Sequence, residues 1–280
     1  MGELEDLIVK TVAIPSVPQV LTRLQQVIGD PSSSMIDAVR VLEEDPGLAT
    51  RCLRIANSVV YGLRVPCSTL RHASSVLGMA KLRDLALQTC LVAQFAHLKK
   101  TRGFNIDSFW QHGALTAICA RQIAKNTRRF RGPVAETAAS CGLLHNIGRL
   151  AMLDAFRASY LDVIVPTGGY GADAIQAEIE AFGFDHAKVG GMLAEKWHLA
   201  DETIEAARDH HQPIAAEPKL AHLIGFANVI AHAYLESGDH AISEILQSET
   251  AQKLGLKSED TADVAREISN LAAGAVMLSA

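Results

Sequence analysis

An all-α protein is what this sequence predicts, and three observations predict it. Apolar residues recur at helical spacing in one segment after another. Gly and Pro cut those segments into short and medium lengths, and no stretch keeps the alternation of a strand. The chain has 280 residues of which 49% are apolar, enough to bury a core in one large domain or two modest ones.

The elements follow in order. Residues 18–28 predict a helix, because Val20, Leu21, Leu24, Val27 and Ile28 form a stripe that Gly29-Asp30-Pro31 ends. Ser33 or Ser34 can cap the next, with Ile36, Val39 and Leu42 inward as far as Asp45-Pro46-Gly47. Leu48, Cys52, Leu53 and Ile55 carry a helix over 48–60, and two more span 68–78 and 80–97, separated near Gly78. Lys99-Lys100 and Thr101-Arg102-Gly103 then interrupt the apolar pattern. The chain is therefore divided into 1–103 and 104–280, two helical subdomains. In the second, helices are expected near 107–127, 134–153, 172–181, 186–196, 201–211 and 218–236. Val165-Pro166-Thr167-Gly168-Gly169-Tyr170-Gly171 is too rich in Gly for an element interior. A turn at 257–261 leads into a last helix from Ala262 to about Leu278.

Charge and composition exclude several classes. A net charge of −5 lacks the concentrated basic face of a general nucleic-acid binder. Arg128-Arg129-Phe130-Arg131, before Gly132-Pro133, reads as a solvated loop. No apolar run approaches the roughly 18 residues of a membrane span. The acidic start, Met1-Gly2-Glu3-Leu4-Glu5-Asp6, has no secretory character, so a cytoplasmic protein is expected. Cys52, Cys67, Cys90, Cys119 and Cys141 are odd in number and widely spaced. Buried reduced thiols are expected rather than disulfides or a structural zinc site.

The chemistry lies in the histidines. His112 follows Trp110 on one expected helix, His145-Asn146 lies on a second, and His186 comes in Phe184-Asp185-His186. His210-His211 close a helix before Pro213, and Asn228 is mid-helix. Imidazoles on several helices can converge on one or two cations, and a carboxylate is then needed to bridge them. A bound cation lowers the pKa of water and so generates a nucleophile for phosphate esters. Adjacent residues leave a helix about 100° apart, so His145 and Asn146 can both reach a site over one helix face. A lone imidazole in an apolar helix is more often a hydrogen-bonded core residue than a ligand, and His97, His222 and His232 take that reading.

Taken together these residues resemble the HDOD domain, the HD-related output domain of bacterial signalling, over roughly 12–238. Ile14-Pro15-Ser16-Val17-Pro18 resembles its opening Pro-x-x-Pro, and Asp45-Pro46-Gly47-Leu48 its Asp-Pro-x-Leu. Leu53-Arg54-Ile55-Ala56-Asn57-Ser58 resembles its Leu-x-x-Ala-Asn-Ser, and Leu77-Gly78 with Leu82 its Leu-Gly helix, with Ser75-Val76 in place of the commoner Ala-Ile. In the second half Phe109-Trp110-x-His112, His145-Asn146-Ile147-Gly148-Arg149, His186, Trp197 and His210-His211 follow the order of the HD phosphohydrolases. Asn146 and Asn228 stand where those enzymes carry Asp. A Gly-Tyr-Pro tripeptide is absent downstream of His145, so the cyclic-di-GMP phosphodiesterase variant is not supported.

The resemblance implies a multi-helix bundle in which an N-terminal helical subdomain packs on an HD-like one. It implies a degenerate metal site of His112, His145, His186, His210 and His211, altered at Asn146 and Asn228. The function it implies is a non-catalytic bacterial signalling module that binds a protein partner or a small ligand in the His-lined pocket. No cofactor is expected, although nitrogen ligands can hold an adventitious or residual divalent transition metal. Two alternatives remain open: a metal-dependent phosphohydrolase with an altered site, and a sensor holding metal or haem. Asn57-Ser58 also has a plain structural reading, capping a helix or satisfying buried backbone. Trp110 and Trp197 are expected in packing rather than ligand stacking.

Overall fold

The computed structural model describes residues 3–12, 14–58, 61, 63, 65–130, 132–169 and 171–275. Met1, Gly2, Arg131, Tyr170 and Leu278, named above, lie outside them, as do the last two residues of the range 48–60. The described residues are helical, with no strand among them, so the chain is all-α. None of the helices is long and apolar enough to cross a membrane among the described residues. Two compact units emerge: Pro15–Ala96, and a larger one joining Met1–Ile14 to His97–Ala280. The first helix, α1 (Glu3–Thr11), thus belongs with the second half of the sequence.

The smaller unit contains α2 (Gln19–Gly29), α3 (Met35–Glu43), α4 (Pro46–Ala56), α5 (Leu70–Leu77) and α6 (Met79–Gln94). Ser34 starts α3 with a reciprocal cap: its backbone N–H donates to Asp37 Oδ2 at 2.9 Å while its hydroxyl accepts from the Asp37 N–H. Asp45 caps α4 by accepting from the Leu48 N–H at 3.0 Å, and Pro46 fills the first turn, where a missing N–H costs nothing. Gly78, at φ 83°, turns α5 into α6 through a conformation that a side chain would strain. Leu21, Leu24, Leu42, Leu48, Leu82, Leu85 and Phe95 are buried, each contributing about 1.5–3 kcal/mol of transfer free energy. Asn57 closes the chain after α4. Its Nδ2 donates to the Cys67 carbonyl at 2.8 Å and its Oδ1 accepts from the Cys67 N–H at 2.7 Å. The side chain pairs like a strand, so its role is structural.

The larger unit is built around α7 (Ile106–Asn126), whose side chains from His112 to Ala124 are all buried. A helix buried all round shows no amphipathic stripe and must be central. Packed on it are α8 (Pro133–Leu144), α14 (Leu220–Ser237) and α17 (Thr261–Ala275). Beside these lie α9 (Ile147–Phe156), α10 (Ala158–Ile164), α11 (Gly171–Phe182), α12 (His186–Lys196) and α13 (Asp201–Asp209). Two short helices, α15 (Asp239–Leu246) and α16 (Glu249–Lys253), lead to α17 through a turn near 258–260. The sequence left α1, α10, α15 and α16, each of nine residues or fewer, without an element. All five cysteines are buried, and burial pushes the Cys52 thiol up to about 11 and that of Cys119 to about 12. They pack as small apolar groups.

Candidate functional site

The larger unit brings the sequence-expected residues together from six helices. His112 lies near the start of α7, His186 opens α12, His210 ends α13 with His211 after it, and Asn228 sits mid-α14. The junction at His145-Asn146 differs from expectation. The single helix over 134–153 is broken: His145 ends α8, and Asn146, at φ −94° and ψ 12°, starts α9. The two side chains therefore leave a corner, not one helix face.

Two glycines explain how closely the backbones meet there. A Cβ on Gly148 of α9 would run into the His186 carbonyl oxygen and lie 3.0 Å from Gly190 Cα, so only Gly lets α9 rest on α12. A Cβ on Gly225 of α14 would likewise overlap the His210 carbonyl oxygen. Asn228, three residues further on, is held at the pocket by that approach.

The five imidazoles form one continuous group. Ring centroids are 5.7 Å apart for His112–His145, 4.9 Å for His145–His210, 5.6 Å for His186–His210 and 3.9 Å for His210–His211. Within it, ligand nitrogens of His186, His210 and His211 all lie within 4.8 Å of one another.

Hydrogen bonds fix the tautomers. His145 Nδ1 lies 2.7 Å from the Gly142 carbonyl, so it carries the proton. His210 Nδ1 lies 3.0 and 3.1 Å from the Ala206 and Ala207 carbonyls and does the same. His186 Nδ1 lies 2.7 Å from Glu178 Oε2. All three rings thus aim the lone pair of Nε2 inward, the arrangement of imidazoles that ligate metals. Those lone pairs meet different things. His211 Nε2 is 3.0 Å from His186 Nε2 and so donates to it. Asn228 contacts His145 Nε2 at 3.1 Å through its carboxamide. The amide atom at that distance is Asn228 Oδ1, an acceptor, which faces the lone pair of a ring that donates at Nδ1. His210 Nε2 and Asn146 Oδ1 are buried with no hydrogen-bond partner.

Glu178 is the residue the sequence reading missed. It is fully buried and accepts from the Tyr160 hydroxyl at 2.6 Å, from the His186 backbone N–H at 2.8 Å and from the His186 ring. A signal existed: Ala174, Glu178 and Phe182 are four apart on α11, which places a carboxylate in the inward stripe. Such a carboxylate is the usual partner behind a ligating imidazole. Glu178 stands behind His186 and not among the inward nitrogens. Arg149 of α9 supplies the opposite charge and donates to the Gly169 carbonyl.

The pocket is electrostatically hostile to protons. Burial first, then the charge of Arg149 and of neighbouring rings, holds His186 well below the ordinary value. Burial and the adjacent rings do the same to His210 and His112. Burial lowers His145 to about 4 and His211 to about 3. At neutral pH the cluster is five neutral imidazoles beside one guanidinium. The remaining histidines serve locally. His97 Nε2 pairs with Asp154 at 2.8 Å, and His222 Nδ1 accepts from the Lys219 N–H at 2.8 Å. His232 faces Glu236 one turn on at 3.3 Å. Trp197 is fully buried, and Trp110 packs edge-on to Phe109 at 5.0 Å.

This fold and this ring of histidines define an HD-like all-α protein. The HDOD domain model matches residues 14–213, and the chain belongs to that family. An uncharacterized protein of Treponema pallidum (strain Nichols) is 28% identical over 230 residues, 77% of this chain. The match spans 42% of that relative's length. Among solved structures, a phosphohydrolase candidate from Shewanella amazonensis SB2B superposes with a TM-score of 0.76 at 25% identity, covering 98% of this chain and 96% of that one. An HDOD domain protein of unknown function from Geobacter sulfurreducens gives 0.72 at 21% identity over 98% and 96%. A candidate signal transduction protein from Marinobacter aquaeolei VT8 gives 0.66 at 23% identity, covering all of this chain and 62% of that one.

Proposed function

We propose that this chain is a non-catalytic regulatory module of bacterial cytoplasmic signalling, whose His-lined pocket binds and does not turn over. One observation carries the reading. The two positions at which HD enzymes carry Asp hold neutral carboxamides, and Asn228 Oδ1 lies 3.1 Å from His145 Nε2. Two hard cations held side by side need anionic oxygen between them, and no carboxylate among the described residues joins this nitrogen cluster. The residues present do not fit a two-metal centre. The family assignment and the candidate signal transduction neighbour support a regulatory role exerted through a protein partner or a small ligand.

A second reading is favoured by His186, His210 and His211. Three neutral imidazoles with an outer carboxylate, Glu178, fit a single zinc-like ion, which would supply an activated water for hydrolysis of a phosphate ester. The Shewanella neighbour supports this alternative.

One experiment separates the two. The untagged protein is titrated with Zn²⁺ and Mn²⁺ by calorimetry and assayed with phosphate esters and cyclic dinucleotides. The regulatory reading expects no turnover, and at least a tenfold gain in Mn²⁺ affinity when Asn146→Asp and Asn228→Asp are combined. Turnover by the unaltered chain that is lost in His145→Ala overturns it.

A further inference from the structure

Arg149 faces more than the histidines. It also lines a cavity of about 310 Å³, formed where the start of α7, α10 and the turn at Gly168-Gly169 meet. That volume is at the small end of the range that holds small-molecule ligands. Its walls are mainly apolar. Phe104 and Phe109, with centroids 6.2 Å apart, form one side, and Leu161 and Ile164 of α10 form another. The Tyr160 ring contributes a face, while its hydroxyl is committed to Glu178 at 2.6 Å. Gly168 and Gly169, at φ 74° and 79°, present backbone without side chains. Arg149 is the lone charged residue of the lining, and it is 7% exposed. A guanidinium stays charged at any physiological pH, and in apolar surroundings its attraction for an anion is several times stronger than in water.

We propose that this cavity is a ligand site for a small organic acid with an aromatic or branched aliphatic body and one anionic head, carboxylate or phosphate. The body packs against Phe104, Phe109, Leu161 and Ile164, and the head meets Arg149. Binding has a direct structural consequence, because the same guanidinium holds the Gly169 carbonyl. An anion that draws it away releases the Gly168-Gly169 turn. The proposal deepens the regulatory reading and rests on it only for what binding does. It places the ligand in a cavity that none of the five histidines lines.

The full chain, labelled with ¹⁵N, is titrated with 3-phenylpropionate, phenyl phosphate and the neutral 3-phenylpropanol while amide shifts are followed. Saturable shifts are expected at Phe104, Ser108, Leu161 and Gly169, with at least one acid binding ten times more tightly than the alcohol. Either acid being the tighter supports the site and identifies the head group. Arg149→Gln should erase the preference for acid over alcohol. Leu161→Trp, which fills the cavity from a half-buried position, should weaken all three probes by at least tenfold, and it tests the site even if Arg149→Gln does not fold. Equal binding of acid and alcohol, shifts confined to other residues, or no saturable shift overturns the proposal. Release of phenol from phenyl phosphate would instead overturn the non-catalytic reading and leave the cavity assignment standing.

Discussion

Asn57 in the smaller unit and Asn146 in the larger are the same side chain put to opposite uses. Asn57 spends both ends of its carboxamide on the Cys67 backbone. Asn146 begins a helix, a place where Asn usually caps, yet makes no capping bond and leaves Oδ1 buried without a partner. The smaller unit has buried atoms without partners too, Ser58 Oγ and Arg51 Nε, but no metal-binding cluster surrounds them among the described residues. A satisfied polar group explains itself by the fold. Unsatisfied ones gathered around inward-facing imidazoles are costly to the fold.

Acid should separate the two units most sharply. The His145 and His211 rings are neutral when folded, with values of about 4 and 3, against 6.5 when unfolded. The unfolded chain then binds more protons below pH 6.5, so stability present above that pH is lost as pH falls toward 4 and then 3. Each ring contributes up to about 1.4 kcal/mol per pH unit across its window. Both tryptophans, Trp110 and Trp197, lie in the larger unit. Their fluorescence should show a urea midpoint falling steeply from pH 7 to pH 5, and a flat midpoint would sink this account.

Glu178→Ala is expected next in size. It strands the His186 ring and the Tyr160 hydroxyl in the interior and should lower stability by about 3 kcal/mol in urea unfolding. Asn57→Ala removes two bonds to buried backbone and should cost about 2 kcal/mol by the same measurement, without changing calorimetric metal binding at the histidines. Asn146→Leu should be the smallest, within about 0.5 kcal/mol of the parent or more stable, because it replaces an unpartnered polar group by an apolar one of similar volume. A loss as large as that of Asn57→Ala would erase the distinction between the two asparagines.

Much of this was legible in the sequence, for identifiable reasons. Val20, Leu21 and Leu24 announce α2 because one face is buried and the other is not, and Ser34 announces α3 because capping is local chemistry. The histidines were found through their order along the chain, and the fold does gather them. The break between α8 and α9 was not legible. No proline marks it, and the close approach of Gly148 to α12 just after it is a tertiary contact. Glu178 was missed for a related reason: a Glu between Gln176 and Glu180 reads as solvated until the ring of His186 is found beside it. The division of the chain at 103 rested on a charged stretch, which carries no information about where α1 packs.

Gly225 has a consequence for how this pocket could diverge among homologous chains. Its missing side chain sets how near α14 comes to the end of α13, and so how far Asn228 stands from His210. That spacing is therefore governed from a residue that no ligand need touch. Adding a single methyl group there would push two helices apart while every residue of the cluster kept its identity. Calibre and chemistry are thus inherited separately, and a descendant could change what fits without changing what reacts.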